Sequence, residues 1–461
     1  MSESDTTKQA NGEPGFRYYD MLLRGGRIFD PSQNLDRIGD IAIKDGKIAA
    51  IEDSIEPRTA RRKIDLDGLL VCPGLIDLHV HCSLYRNPEA LDPNVTGVYS
   101  GVTRIVDPGD SGAYNFQGFR KQVIETTKTK INSWLAAAGL GGFMYGLYNT
   151  DVILQPSMID VDASVNIIQM YPNIIRGVKT YCVPEGWGNP DGTEVYQKAL
   201  KIAELAGVSL YIHSGSPSPD GAVVYGEKPR LFGEETTREN ALAKMLERLR
   251  PGDTVSHVCS NFHGTVWNWT EKRLAAGAKE AYERGIIFDS GRGAHFIYDA
   301  VRALMDLGMP PTTLSTDRHA SDDHDEHNRT ANVGMCTHMS EFMALGMSLE
   351  DVVLRSTYNP AKALRLTDEA GSLKVGRDAD ISVLVIRDGE WTFNDSPYGG
   401  EPETLKGDKL LSPVLTVLDG EVYPCNPAFL PGMEELQLQE DVWSWLSHRP
   451  DRPFAYGLQD D

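Results

Sequence analysis

Between residues 71 and 370, short apolar runs alternate with longer amphipathic stretches. Eight runs stand out, at 75–81, 102–107, 131–138, 174–181, 208–213, 254–258, 286–290 and 313–317. Several are separated by segments with the spacing of a helix that buries one face, at 193–206, 237–249, 271–284 and 297–307,. Alternating strands and helices predict a parallel sheet with right-handed crossovers. Eight such units predict closure into a (β/α)8 barrel of the TIM type, an α/β fold. The flanks are patterned differently. Residues 18–70 read as strands joined by tight turns, in YDMLLRGGRIFD and GDIAIKDGKIAAIE, and residues 371–425 repeat the style in GSLKVGRDADISVLVI and LLSPVLTVLDGEVYP,. A small β-sandwich domain built from both chain ends is expected, with the barrel (71–370) inserted between its two parts. Residues 1–17 are polar and predict a disordered N-terminal tail. Residues 426–461 predict a C-terminal tail with a short helix near Trp443 and Trp445.

Composition narrows the function classes. The 461 residues carry a net charge of −21, with 41% apolar and 24% charged residues. That surface argues against nucleic-acid binding, which needs a basic face. No apolar stretch approaches a membrane span, and the N-terminus lacks the apolar core of a secretory signal. The six cysteines (Cys72, Cys82, Cys182, Cys259, Cys336, Cys425) form no Cys-x-x-Cys pair. Reduced thiols and a cytoplasmic location are expected, with the cysteines near candidate ligands (Cys82, Cys182, Cys259) acting as packed apolar groups.

The candidate chemistry lies at strand ends. In PGLIDLHVH, His79 and His81 stand two apart at the end of the first run. Strand side chains alternate, so both imidazoles point into the barrel while Val80 faces the helices. Two neutral imidazoles on one face suit zinc or a related ion. Lys179, His213, His257 and Asp317 also close apolar runs, and barrel catalytic groups gather at that rim. A lysine beside two cations loses its proton readily. Its neutral amine can take up carbon dioxide, giving a carbamate whose oxygens bridge two metals. A lysine snorkelling at the rim is the alternative.

The order His-x-His, Lys, His, His, Asp on successive strands resembles the binuclear amidohydrolase superfamily, within it the amidohydrolase/deacetylase group related to dihydroorotases. Further matches are GVTRIVDPGDSGAYNF, IRGVKTY, STDRHA, LGMSLEDVV, NPAKAL and GSLKVGRDADISVL, so the resemblance covers roughly residues 18–425. It implies two divalent ions, expected to be zinc. His79, His81 and Asp317 would hold the more buried one, His213 and His257 the exposed one, and carbamylated Lys179 would bridge them. A metal-bridging hydroxide would attack the substrate, with Asp317 as proton shuttle. The expected reaction is hydrolysis of an amide or ester, most simply deacylation of a small N-acyl or O-acyl compound. Cyclic-amide hydrolysis, as in dihydroorotases and hydantoinases, is the first rival, and a non-catalytic scaffold homologue the remote one. Mononuclear deaminases usually lack the bridging lysine.

Substrate contacts are expected from Tyr181 and His319, each two residues past a ligand, and from Arg292 and His295 in FDSGRGAHF. Arg292 would either read an acidic group on a small-molecule substrate or pair with a carboxylate such as Asp289 or Asp317. The acidic, histidine-bearing run RHASDDHDEHNRT reads as a solvated loop at the pocket. A homo-oligomer is expected from the family habit and the tryptophan-bearing tail.

Overall fold

Seven strands form one parallel sheet. From one edge to the other they are Leu75–Asp77, Val102–Asp107, Lys130–Ala136, Ile175–Tyr181, Ser209–His213, Thr254–Ser256 and Ile287–Phe288. The computed structural model describes residues 18–84, 86–87, 90–144, 156–181, 192–215, 230–231, 234–235, 238–319 and 333–425. The expected tails 1–17 and 426–461, Tyr85, Cys182 and the loop segment 320–332 lie outside the described residues.

The eighth run, 313–317, closes the barrel without forming a regular strand. Thr313 bridges Asp289 on one side, and Arg318 bridges Val80 on the other. Backbone bonds from Ser290 N to Thr313 O (3.1 Å) and from His81 N to Arg318 O (3.0 Å) complete the seam. Between them Asp77 stands in for a ladder partner, taking Thr316 N at 3.0 Å and Thr316 Oγ1 at 2.5 Å. Alternation along the strands separates two environments. Leu210 and Ile212 join the large core shared with the outer helices. Tyr211 joins Ile76, Leu78, Val106, Trp134 and Ile287 in a smaller cluster with Ala361, Leu364 and Leu366.

Helices Gly192–Ala206, Arg238–Arg248 and Tyr298–Asp306 follow the expected spacing. The expected helix at 271–284 is shorter, Ala278–Glu283, because Arg273–Leu274 pairs with Trp267–Asn268 as a small hairpin and Lys272 turns at φ 50°. Among the described residues no helix is long and apolar enough to cross a membrane.

Both flanks enter a single mixed sheet of eight strands. Tyr19–Asp30 pairs antiparallel with Leu35–Lys44 and parallel with Ala60–Asp65 and Leu70–Pro73. Leu70–Pro73 in turn pairs with Ile381–Asn394, which joins the two chain ends. The sheet has its own core, including Leu23, Ile41, Ile43, Ile381, Val383 and Leu415. The hairpin Ile381–Asn394/Thr404–Leu418 reaches further than a small sandwich requires. It passes the helix Met335–Ala344, where Leu411 N donates to Ser340 Oγ, and touches the barrel rim where Ser396 N donates to Phe296 O.

Candidate active site

Backbone strain marks two of the strand ends. His257 has φ 65° and Asp317 φ 51°, a left-handed conformation that costs a non-glycine residue about 1–3 kcal/mol and persists only where its surroundings enforce it. Glycines make the room. A methyl on Gly293 would lie 2.5 Å from Asp317 Oδ2, one on Gly291 2.7 Å from His257 Nδ1, and one on Gly109 3.0 Å from the Lys179 stem.

The imidazoles gather around Asp317. Its Oδ1 lies 2.9 Å from His79 Nε2 and 3.6 Å from His81 Nε2. Its Oδ2 lies 3.9 Å from His257 Nδ1 and 4.0 Å from His295 Nε2. The His213 ring is centred 4.3 Å from His257, and the His319 ring 5.8 Å from His81. Lys179 is buried one strand away from His213. Its Nζ sits 4.6 Å over the Tyr211 ring, and that ring is centred 5.5 Å from His79.

The far sides of the rings are anchored. Asp110 meets His81 Nδ1 at 2.6 Å and also takes the Cys82 and Ser83 amides. The Gly291 carbonyl meets His257 Nδ1 at 2.7 Å, and the Tyr211 hydroxyl meets His79 Nδ1 at 2.9 Å. Outer partners of this kind orient metal-ligating histidines. His257 Nε2 and His295 Nδ1 are buried and make no hydrogen bond among the described residues.

Burial keeps most of these rings neutral. It pushes His79 down to about 3 and His295 down to about 4, and it holds His213 and His257 well below the usual imidazole range. His81 goes the other way: burial opposes its charge, but the Asp110 and Asp317 carboxylates raise it well above the ordinary value. Burial also opposes the Asp317 charge, yet the surrounding imidazoles, His79 first, hold its carboxyl well below the usual range. An ionised carboxylate therefore faces the neutral rings of His79, His257 and His295, with His81 held toward its charged form. His79, His257 and Asp317 each offer a ligand atom within 4.8 Å of the others. That donor chemistry, with the orphaned His257 Nε2, fits a divalent transition ion.

Arg292 does not join this group. It is fully buried, and its guanidinium meets Glu341 in a bidentate pair, Nε to Oε2 at 2.9 Å and Nη2 to Oε1 at 2.8 Å. Nη2 also donates to Asn394 O and Nη1 to Ser396 Oγ. The carboxylate pairing expected with Asp289 or Asp317 is made instead with Glu341 of the helix Met335–Ala344. The Tyr181 backbone ends its strand, but its side chain lies outside the described residues. Cys82 and Cys259 are buried free thiols, and burial pushes both well above the ordinary range, as packed groups should be.

Sequence reasoning did not single out Asp110, Tyr211, Ser256 or Glu341. Asp110 had a signal, standing three residues past Asp107 at the end of the second run. Tyr211 had one too, two residues before His213 on the same strand face.

The profile of the amidohydrolase family matches residues 189–421. A deacetylase of Agrobacterium fabrum is 28% identical over 406 residues, covering 87% of this chain and 90% of its own. Among solved structures, a dihydroorotase aligns with a TM-score of 0.70 at 27% identity, over 88% of this chain and 99% of its own. An adenine deaminase aligns with a TM-score of 0.74 at 24% identity, over 88% and 100%, a likeness of fold.

Proposed function

The chain belongs to the amidohydrolase family, and from that premise we propose that it is a metal-dependent hydrolase that removes a small acyl group from an N-acyl or O-acyl compound. The observation that carries the reading is the convergence of His79, His81, His257 and His295 on the Asp317 carboxylate at 2.9–4.0 Å. The deacetylase relative, aligned over most of both chains, supports the acyl-transfer class.

His79, His81 and Asp317 would hold one ion and His213 and His257 a second, with Lys179, as its carbamate, serving both. Bound divalent ions, zinc being the first expectation, would acidify water and polarise the scissile carbonyl. The chain's own groups do the rest. Asp317 stays ionised, so it can take a proton from the attacking water and pass it to the leaving nitrogen or oxygen. Asp110, Gly291 and Tyr211 hold three imidazoles in place from behind. His295, neutral and close to Asp317 Oδ2, would contact the substrate, as would His319 beside His81.

Cyclic-amide hydrolysis is the second reading, favoured by the 27% identity to a dihydroorotase. A panel of N-acyl amino acids and O-acyl hydroxy acids, assayed beside hydantoins and dihydroorotate with and without chelator, tests both. Chelator-sensitive release of a carboxylic acid from open-chain substrates is expected. Turnover of the cyclic amides alone would replace the first reading with the second. Full activity in metal-stripped protein would remove both.

A further inference from the structure

We infer that Tyr211 is a positioning residue that sets the tautomer of His79, and so keeps its ligand nitrogen open. The inference rests on the metal-dependent reading above. Tyr211 is fully buried on the strand Ser209–His213, level with Lys179 across the ladder. Its ring stacks on Trp134 at 5.1 Å, and the indole N–H of Trp134 donates to Leu78 O at 3.1 Å. The stack seats the ring, and the phenol oxygen is fixed by its own hydrogen bonds. Three groups surround it: Asp289 Oδ2 at 2.6 Å, Ser256 Oγ at 2.9 Å and His79 Nδ1 at 2.9 Å.

Counting protons assigns the direction of these bonds. A phenol has one proton to donate and lone pairs with which to accept. Its shortest contact is to Asp289, at the length of a hydroxyl donating to a carboxylate. Asp289 is built as an acceptor, since its Oδ2 also takes Ser315 Oγ at 2.6 Å and its Oδ1 takes Thr313 Oγ1 at 2.7 Å. With the phenol proton committed to Asp289, the bond to His79 runs the other way, and Nδ1–H donates to the Tyr211 oxygen. A neutral ring with its proton on Nδ1 carries a lone pair on Nε2. That atom lies 2.9 Å from Asp317 Oδ1.

Two acceptors at that distance repel, and a cation shared between them relieves the repulsion. In the opposite tautomer Nε2–H would donate to Asp317, and a hydrogen bond would occupy the place of the ligand bond. Asp289 and Tyr211 thus act together against a closed His79–Asp317 pair.

The test is a competition titration of zinc against a chromophoric chelator, on wild type, Tyr211→Phe and Trp134→Phe. Tyr211→Phe keeps the ring and its stack but loses the oxygen, and its zinc affinity should fall about 10–100-fold, the usual cost of removing an outer partner of a ligand histidine. Trp134→Phe disturbs the same stack without touching Nδ1. It should lower the Tm and keep wild-type zinc affinity. Wild-type affinity in Tyr211→Phe overturns the inference.

If Tyr211→Phe does not fold, the metal-free wild type carries the test. Nitrogen-15 spectra of labelled histidines, with His79 assigned by its loss in His79→Asn, should show the proton on Nδ1. A proton on Nε2 overturns the inference. A wild type that binds no zinc sinks the metal reading, whereas a zinc-binding wild type with an unaffected Tyr211→Phe sinks this inference alone.

Discussion

Asp317 and Glu341 are buried carboxylates beside the same turn, residues 290–295, and each is held below its ordinary pKa against the opposing effect of burial. Their surroundings balance in opposite ways. Glu341 takes both arms of Arg292 and the Tyr298 hydroxyl, and it meets His338 Nδ1 at 2.9 Å. The other nitrogen of His338 meets Ser290 Oγ at 3.0 Å. Ser396 then links Arg292 to the Gly293 carbonyl, so the hairpin is bolted to the turn. Among the described residues this cluster pairs its charges internally. Around Asp317, His79, His81 and His257 are fastened by outer partners, while two buried ring nitrogens, His257 Nε2 and His295 Nδ1, make no hydrogen bond among the described residues. A satisfied cluster holds a fold together, whereas buried nitrogens without a partner beside a carboxylate suit a bound cation.

That contrast can be broken by mutation. The largest effect expected is on turnover. Asp317→Asn should lower kcat about 10²–10⁴-fold, the range of a lost general acid–base group, without loss of all bound metal by elemental analysis. Full turnover in Asp317→Asn would end its role as proton shuttle.

On the other side, Glu341→Gln leaves Arg292 buried without its counter-charge and should cost about 3–5 kcal/mol in denaturant unfolding. Replacing both partners, Arg292→Met with Glu341→Leu, should recover much of that loss. Zinc content should hold in every variant that folds. A Glu341→Gln protein of wild-type stability that had lost its zinc would show that the two clusters are not separate.

The smallest effect is a pH dependence of the metal-free protein. His79, His213, His257, His295 and His338 have folded-state values below the ordinary 6.5, the first and fourth at about 3 and about 4. Below pH 6.5 the unfolded chain takes up protons that these folded rings refuse, so their contribution to stability falls as pH drops from 6.5 toward 4. His81 opposes them, because its raised value makes its contribution full below 6.5 and lost as pH rises,. Asp77 at about 7, Asp395 at about 6 and Asp107, held well above the ordinary range, act in the same direction as His81, since the folded chain binds their protons first,. The rings' share is therefore read by difference: metal-free His213→Asn should lose less Tm between pH 7 and pH 5 than the metal-free wild type. An unchanged difference would contradict neutral, buried rings.

Much of the barrel was legible because strand and helix periods differ and the apolar runs obey them. The eighth unit was legible as a run but not as a strand. Its seam depends on the Asp77 side chain bonding Thr316, 239 positions away. The 271–284 helix misled because its first residues do carry helical spacing. Their pairing with Trp267–Asn268 outweighed that local preference. Arg292 shows the same limit at the site. Its charge and burial could be anticipated, but its partner lies 49 positions away on another helix.

What the sequence determined by itself is the alternation that makes a barrel, and the residue types that stand where its strands end. Both follow from local periodicity, which needs no knowledge of distant neighbours. The tertiary structure alone decided which nitrogen of each ring faces the centre, because that depends on the partner behind it. For His79 that partner is Tyr211, 132 positions along the chain. Folding likewise decided that Arg292 meets Glu341 while Asp317 meets imidazoles, since a buried charge takes its character from whatever the packed chain brings within hydrogen-bond reach.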